Sequence, residues 1–231
     1  MSSAAAVSRP NRAFRFFDAT IVKKAIVALT GLVMFGFVAG HLAGNLQMFA
    51  RDHGEAINKY SLFLKSLGEI LWVVRLGLLA ALVLHVVFTI QLWRVKNAAR
   101  PIQYVKKDNS HSSLASKSMY LTGPTIFFFI GYHLLHFTLG KVQPGQFVEG
   151  NVYATVINGF QQPIISAFYI ISMGLLCLHL NHGLSSIWQT LGLYHPRYTP
   201  LIKKGAAAIS IVIFVGFVSI PLGVLTNVIT L

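Results

Sequence analysis

His41, His85, His133 and His179 sit inside four different apolar segments, each about 15 residues from where its segment begins. An imidazole in lipid is unfavourable unless it has a partner, so histidines within membrane-spanning sequence mark functional sites by default. Four of them at matched depth point to two metal centres with two imidazoles each. Iron in a porphyrin is the metal that takes two axial histidines in such a setting.

The elements that must position these residues are apolar throughout. The chain has 231 residues, 55% hydrophobic and 11% charged, with mean hydropathy +0.64. A soluble domain would carry about 25% charged residues, so the composition is that of an integral membrane protein. The single cysteine, Cys177, excludes a disulfide framework within the chain and a Cys-based zinc or iron–sulfur site. The first 24 residues lack the apolar run of a secretory leader, and no cleavable signal is expected. Five runs approach the ~20 residues a span requires. They lie at about 25–49, 70–94, 119–140, 163–188 and 205–229. The expected fold is therefore an all-α bundle of five transmembrane helices over residues 25–231, preceded by a segment at 1–24. Lys23 and Lys24 mark the start of the first span, Pro163 and Gly205 the starts of the last two, and Pro221 is expected to kink the fifth.

Charge sets the orientation. Fourteen of the 19 Lys and Arg residues fall in the N-terminal tail and the second and fourth loops, against five on the other side. The positive-inside rule puts the N-terminus in the cytoplasm and the C-terminus outside. Topology and anionic lipid account for the net charge of +13, and no nucleic acid partner is expected. In the first outer loop Ile57, Tyr60, Phe63, Leu64 and Leu67 recur at helical spacing, which predicts an amphipathic helix in the outer interface. The inner loop, 94–118, is basic and serine-rich and is a natural docking surface for a soluble partner.

Orientation converts position into depth. His41 and His133 fall in the outer half, and His85 and His179 in the inner half. The layers are roughly 10 Å apart at 1.5 Å per residue. Two histidines per layer on different helices form the ligand set of a bis-imidazole haem, with His41 paired to His133 and His85 to His179. The chain also repeats itself: Thr30-Gly31, nine residues, His41; then Thr122-Gly123, nine residues, His133. Gly36, Gly40 and Gly44 form a small-residue stripe beside His41, suited either to helix–helix contact or to a porphyrin face. His136 and His182 stand three residues beyond His133 and His179. Layer matching selects His133 and His179 as ligands, leaving His136 and His182 to bond a propionate, a quinone or water. His53, His111 and His195 fall in loops and receive no role.

Four stretches in order carry a family resemblance. They are Thr30-Gly31 to Gly40-His41; His85 followed by a basic helix end; TGPTIFFFIGYH at 122–133; and HLNHGL at 179–184, continuing to Gly192. From about residue 20 to 230 the chain resembles the cytochrome b membrane-anchor subunit of succinate:quinone oxidoreductases and fumarate reductases. The form it is similar to is the single-chain, five-helix, di-haem, b558-type one. In that family the last motif reads as a histidine with glycine four residues on, matched here by His179 and Gly183. The resemblance implies two haem b groups, a quinone (menaquinone is the expected species), and a bacterial cytoplasmic-membrane location. It also implies a flavoprotein subunit and an iron–sulfur subunit on the cytoplasmic face, with a higher oligomer of the whole complex open. Electrons from succinate would pass from the iron–sulfur subunit through both haems to quinone, or in reverse for fumarate reduction. The chain would be a subunit of the enzyme without the dicarboxylate site.

The family places quinone chemistry near the outer haem with an acidic residue handling protons. Glu69 and Arg75, at the start of the second span, are the candidates for that site, and Arg75 could also neutralise a haem propionate. Rival readings are a di-haem cytochrome b serving a hydrogenase or formate dehydrogenase, a haem-free anchor, and a proton-relaying transporter. The last would want Asp or Glu at mid-depth, and the spans carry none there.

Overall fold

The computed structural model describes residues 18–99 and 113–231. Among these, all regular structure is helical. Helix α1 is Thr20–Asn45, prolonged by a 3-10 turn at Leu46–Phe49. Helix α2 is Glu55–Ser66, and α3 is Glu69–Ala98. After the short α4, Leu114–Lys117, comes α5, Met119–His133, which runs on as a π-helical turn at Leu134–Thr138. Helix α6 is Val152–Phe160, α7 is Pro163–Thr190 and α8 is Thr199–Leu225.

Among the described residues four helices are long and apolar enough to cross a membrane: α1 with its extension, α3, α7 and α8. In a bilayer each backbone polar group must be satisfied internally, which is why these segments are unbroken helices. Much of their apolar surface faces outward; on α3 alone Trp72, Val73, Leu76, Leu79 and Val83 are exposed. A continuous apolar surface of this kind is what lipid covers. The run expected at 119–140 is built differently, as a 15-residue α-helix followed by the five-residue π turn.

The boundaries moved in informative ways. Helix α1 begins at Thr20, so Lys23 lies inside it, buried, with its ammonium 3.8 Å from the Asp18 carboxylate. Helix α8 begins at Thr199 rather than 205 because Pro200 fits the first helical turn. Pro221 is buried within α8. Residues 100–112 of the inner loop, including His111, lie outside the described residues.

Helix α7 is central. It packs along α8, against α5 and against α1, while α1 also runs along α3. Two glycines permit close approach: a Cβ on Gly216 of α8 would meet Leu42 of α1 at 2.8 Å, and one on Gly44 would meet the Tyr60 ring at 2.6 Å. At one end of the bundle α2, α6 and the C-terminus form a cap, whose core is Met48, Ile57, Tyr153, Ile157, Phe160, Val224 and Ile229. The Asp52 carboxylate accepts from the Gly54 and Ala56 amides at 3.0 and 2.8 Å and starts α2. Asn151 does the same for α6, accepting from Ala154 N at 3.0 Å, and also accepts from Asn58 Nδ2 at 3.0 Å. The amphipathic helix expected between the first two spans is therefore present. Its Ile57 side is packed into this cap, 3% exposed, whereas Phe63 is 57% exposed.

Gly54 carries a positive φ of 85°, and a Cβ there would lie 2.2 Å from the Tyr153 ring. Gly54→Ala is expected to cost about 2–4 kcal/mol, from backbone strain and overpacking together. Thermal unfolding of the detergent-solubilised chain measures this, and an unchanged midpoint contradicts the cap geometry.

Candidate functional site

The four mid-helix histidines come together in two pairs from four helices. His41 of α1 faces His133 of α5, ring centres 5.8 Å apart and nearly perpendicular. His85 of α3 faces His179 of α7, ring centres 6.3 Å apart and inclined by 57°. Helix periodicity produces this arrangement. Eleven residues separate Thr30, which touches His85, from His41 on the same helix. The same interval separates Thr122, which touches His179, from His133 on α5. Eleven residues rise about 16 Å, so the pairs occupy distinct levels, further apart than the roughly 10 Å estimated from span starts.

The His85–His179 pair is tied at its outer nitrogens. His85 Nδ1 lies 3.1 Å from the Val27 carbonyl and 3.2 Å from Thr30 Oγ1. His179 Nδ1 lies 3.3 Å from Thr122 Oγ1. Gly31 makes room for this: a Cβ there would sit 3.3 Å from His85 Cε1. The matching Gly123 has open space around it, so the second half of the Thr-Gly repeat is not used in the same way.

The His41–His133 pair sits in an aromatic shell. Phe37 stacks on His41 at 5.5 Å, and Phe129, Phe137 and Tyr169 surround His133 at 5.8–6.0 Å. His41 Nε2 accepts from the Asn45 side-chain amide at 3.2 Å, and His133 Nδ1 is buried without a hydrogen-bond partner. Gly36 and Gly40 meet nothing within 4 Å, so that part of the stripe is not a helix–helix contact; only Gly44 is, against Tyr60 of α2.

The donor set bears on which metal group could fit. Among the described residues no cluster of three or more His, Cys, Asp or Glu forms that could hold a metal ion. Two facing imidazoles suit a metal whose other positions are supplied by a macrocycle. A metal–imidazole bond is about 2 Å, which with the distance from nitrogen to ring centre sets two such rings about 6 Å apart. Both pairs lie near that separation. At His85–His179 the Nδ1 atoms are engaged elsewhere, which leaves the Nε2 atoms for a shared metal. At His41–His133 the Asn45 amide must release Nε2 first.

The remaining candidates separate. His136 is 3% exposed and bonds Tyr169 OH at 3.0 Å, and its ring stacks on Phe137 at 4.1 Å. His182 lies 3.3 Å, through Nε2, from Ser186 Oγ on its own helix. Glu69 and Arg75 form no ion pair among the described residues, and Arg75 places its guanidinium 5.1 Å from the Trp72 ring centre instead. Both are exposed on α3, where a long cationic side chain beside Trp suits a membrane interface. His195 stacks on Tyr198 in the loop before α8. Sequence reasoning missed Asn45 and Tyr169. Asn45 stands one helical turn after His41, a usable signal; Tyr169 stands 33 residues from His136 and gives none. No family model, no curated protein and no solved structure matches this chain.

Tyr169→Phe strands a buried imidazole nitrogen and is expected to cost about 1–3 kcal/mol. The double change Tyr169→Phe with His136→Phe removes both polar partners and should be less destabilised than the single one. Thermal unfolding of both variants decides it; equal midpoints contradict the pairing.

Proposed function

We propose that this chain is the membrane-anchor cytochrome b subunit of a succinate:quinone oxidoreductase, holding two b haems between paired histidines. The observation that carries this reading is the pairing itself, one imidazole from each of four helices at two levels, with ring separations suited to an intervening metal. In this reading α5 and its π turn make the third of five crossings, since together they supply twenty residues. The N-terminus is cytoplasmic, the C-terminus outside, and the membrane is a bacterial cytoplasmic one. His85–His179 is then the inner pair and His41–His133 the outer.

Each bound haem would supply one-electron exchange between ferric and ferrous iron. The chain's own residues do the rest. His85 with His179, and His41 with His133, would hold the two haems, one pair at each level. Phe37, Phe129 and Phe137 exclude water around the outer pair. Electrons enter from an iron–sulfur subunit, itself joined to a flavoprotein, docked on the basic cytoplasmic face. They leave to a quinone, menaquinone being the expected species, at the outer level. Glu69, at the outer end of α3, is the proposed proton carrier there and Arg75 its cationic neighbour. His136 and His182 stand behind the ligands rather than on the metal.

His85→Ala and His179→Ala should each abolish the same b-type spectral component, and His41→Ala and His133→Ala the other. Reduced-minus-oxidised spectra of membranes carrying each variant check this. If His41→Ala and His85→Ala remove the same component, the two-level assignment fails. Affinity purification of the tagged chain from its native membrane tests the partner assignment: covalent or tightly held flavin in the complex supports it, and nickel or molybdenum contradicts it.

A further inference from the structure

The repeated threonines, eleven residues before His41 and His133, touch neither of those rings. Thr30 of α1 reaches His85 of α3, and Thr122 of α5 reaches His179 of α7. The two helices that present His41 and His133 thus each grip a histidine of the other level. Hydrogen-bond accounting fixes what the grip does. Thr30 Oγ1 donates its proton to the Ile26 carbonyl at 2.7 Å, so toward His85 it can only accept. The Val27 carbonyl beside it can also only accept. His85 must therefore carry its proton on Nδ1, leaving a lone pair on Nε2. At His179 the partner hydroxyl, on Thr122, is 0% exposed, and its other neighbour is the weakly accepting Met119 sulfur at 3.9 Å. With a metal on His179 Nε2, Nδ1–H donates to Thr122 Oγ1.

We propose that Thr30 and Thr122 are positioning residues for the His85–His179 centre, setting the tautomer of both imidazoles and strengthening them as donors to the metal. This rests on the two-haem reading. A ligating imidazole whose N–H is held by an acceptor is oriented and made more basic, and losing such a partner commonly costs 10–100-fold in metal affinity. A more basic ligand favours ferric iron, so removing the acceptor moves the balance toward ferrous. The two anchors are unequal. His85 keeps the Val27 carbonyl when Thr30 is lost, whereas among the described residues no second acceptor stands at His179 Nδ1.

The test is a spectrally resolved redox titration of the full chain in its complex, wild type against Thr122→Val, Thr122→Ser, Thr30→Val and Thr125→Val. The last is a control on the same helix, its hydroxyl bonded to the Leu121 carbonyl at 2.8 Å. Thr122→Val is expected to shift one haem roughly tenfold toward the ferrous form, about 59 mV upward for a one-electron couple. The haem that moves is the one His179→Ala deletes, and the other stays in place. Thr122→Ser restores the wild-type value, Thr30→Val moves the same haem less, and Thr125→Val moves neither. The proposal is overturned if both potentials are unchanged in Thr122→Val, or if both haems move together. If Thr122→Val does not assemble, Thr30→Val decides by the same criterion, no shift in the His85 haem being the contrary result. A wild-type protein without b-type absorption defeats the two-haem reading itself, before any variant is compared.

Discussion

An imidazole in a membrane interior must find a polar partner or destabilise the helix that carries it, and much of this structure follows from how four of them do so. Each ring has two nitrogens and therefore two obligations. At the His85–His179 level one nitrogen of each ring is discharged against a neighbouring helix, through Thr30 with Val27 and through Thr122. The other nitrogen is left for whatever lies between the rings. At the His41–His133 level the obligations are met differently. Asn45 occupies one nitrogen of His41, and His133 Nδ1 has nothing, although the ring is enclosed by aromatic side chains. The two levels are thus alike in composition and unlike in how firmly they are held.

Packing serves this arrangement. Helix α7 touches α1, α5 and α8, so it sits where rings from several helices can be aligned. Small residues act at particular contacts rather than as a general stripe: Gly31 lets His85 lie against α1, and Gly216 admits Leu42 between α1 and α8. The cap of α2 and α6 closes one end with a packed apolar core, tied by Asn58, Asn151 and the Tyr153 hydroxyl, which donates to the Thr230 carbonyl at 2.8 Å. Next to the His41–His133 level α5 gives way to a π turn, a local irregularity often found at functional sites. There His136 turns inward to Tyr169.

The main architecture was legible because its causes are local. Apolar run length announced five spans, four of which are long unbroken helices, and position along them put His41 with His133 and His85 with His179, the pairs that lie ring to ring in the fold. What stayed hidden depends on contacts between distant segments. The Thr-Gly repeat was visible as a pattern, but not which ring each threonine meets; in the fold it is a histidine of another helix. Helix α6 was missed because nine residues, Val152–Phe160, with β-branched side chains look like loop until Asn151 caps them and the bundle buries them. Glu69 and Arg75, proposed for the quinone level, are exposed on α3, and what the sequence did not show is that Trp72 supplies the arginine's neighbour. Helix starts shifted because Lys23 is tolerated within α1 and Pro200 opens α8.

The most direct test of the central claim is the content and ligation of haem in the purified full-length chain. Quantified against protein and examined by low-temperature electron paramagnetic resonance, it should hold two b haems per chain, both low-spin with two imidazole ligands. A chain that folds and purifies with no haem, or with a single high-spin one, would contradict the account.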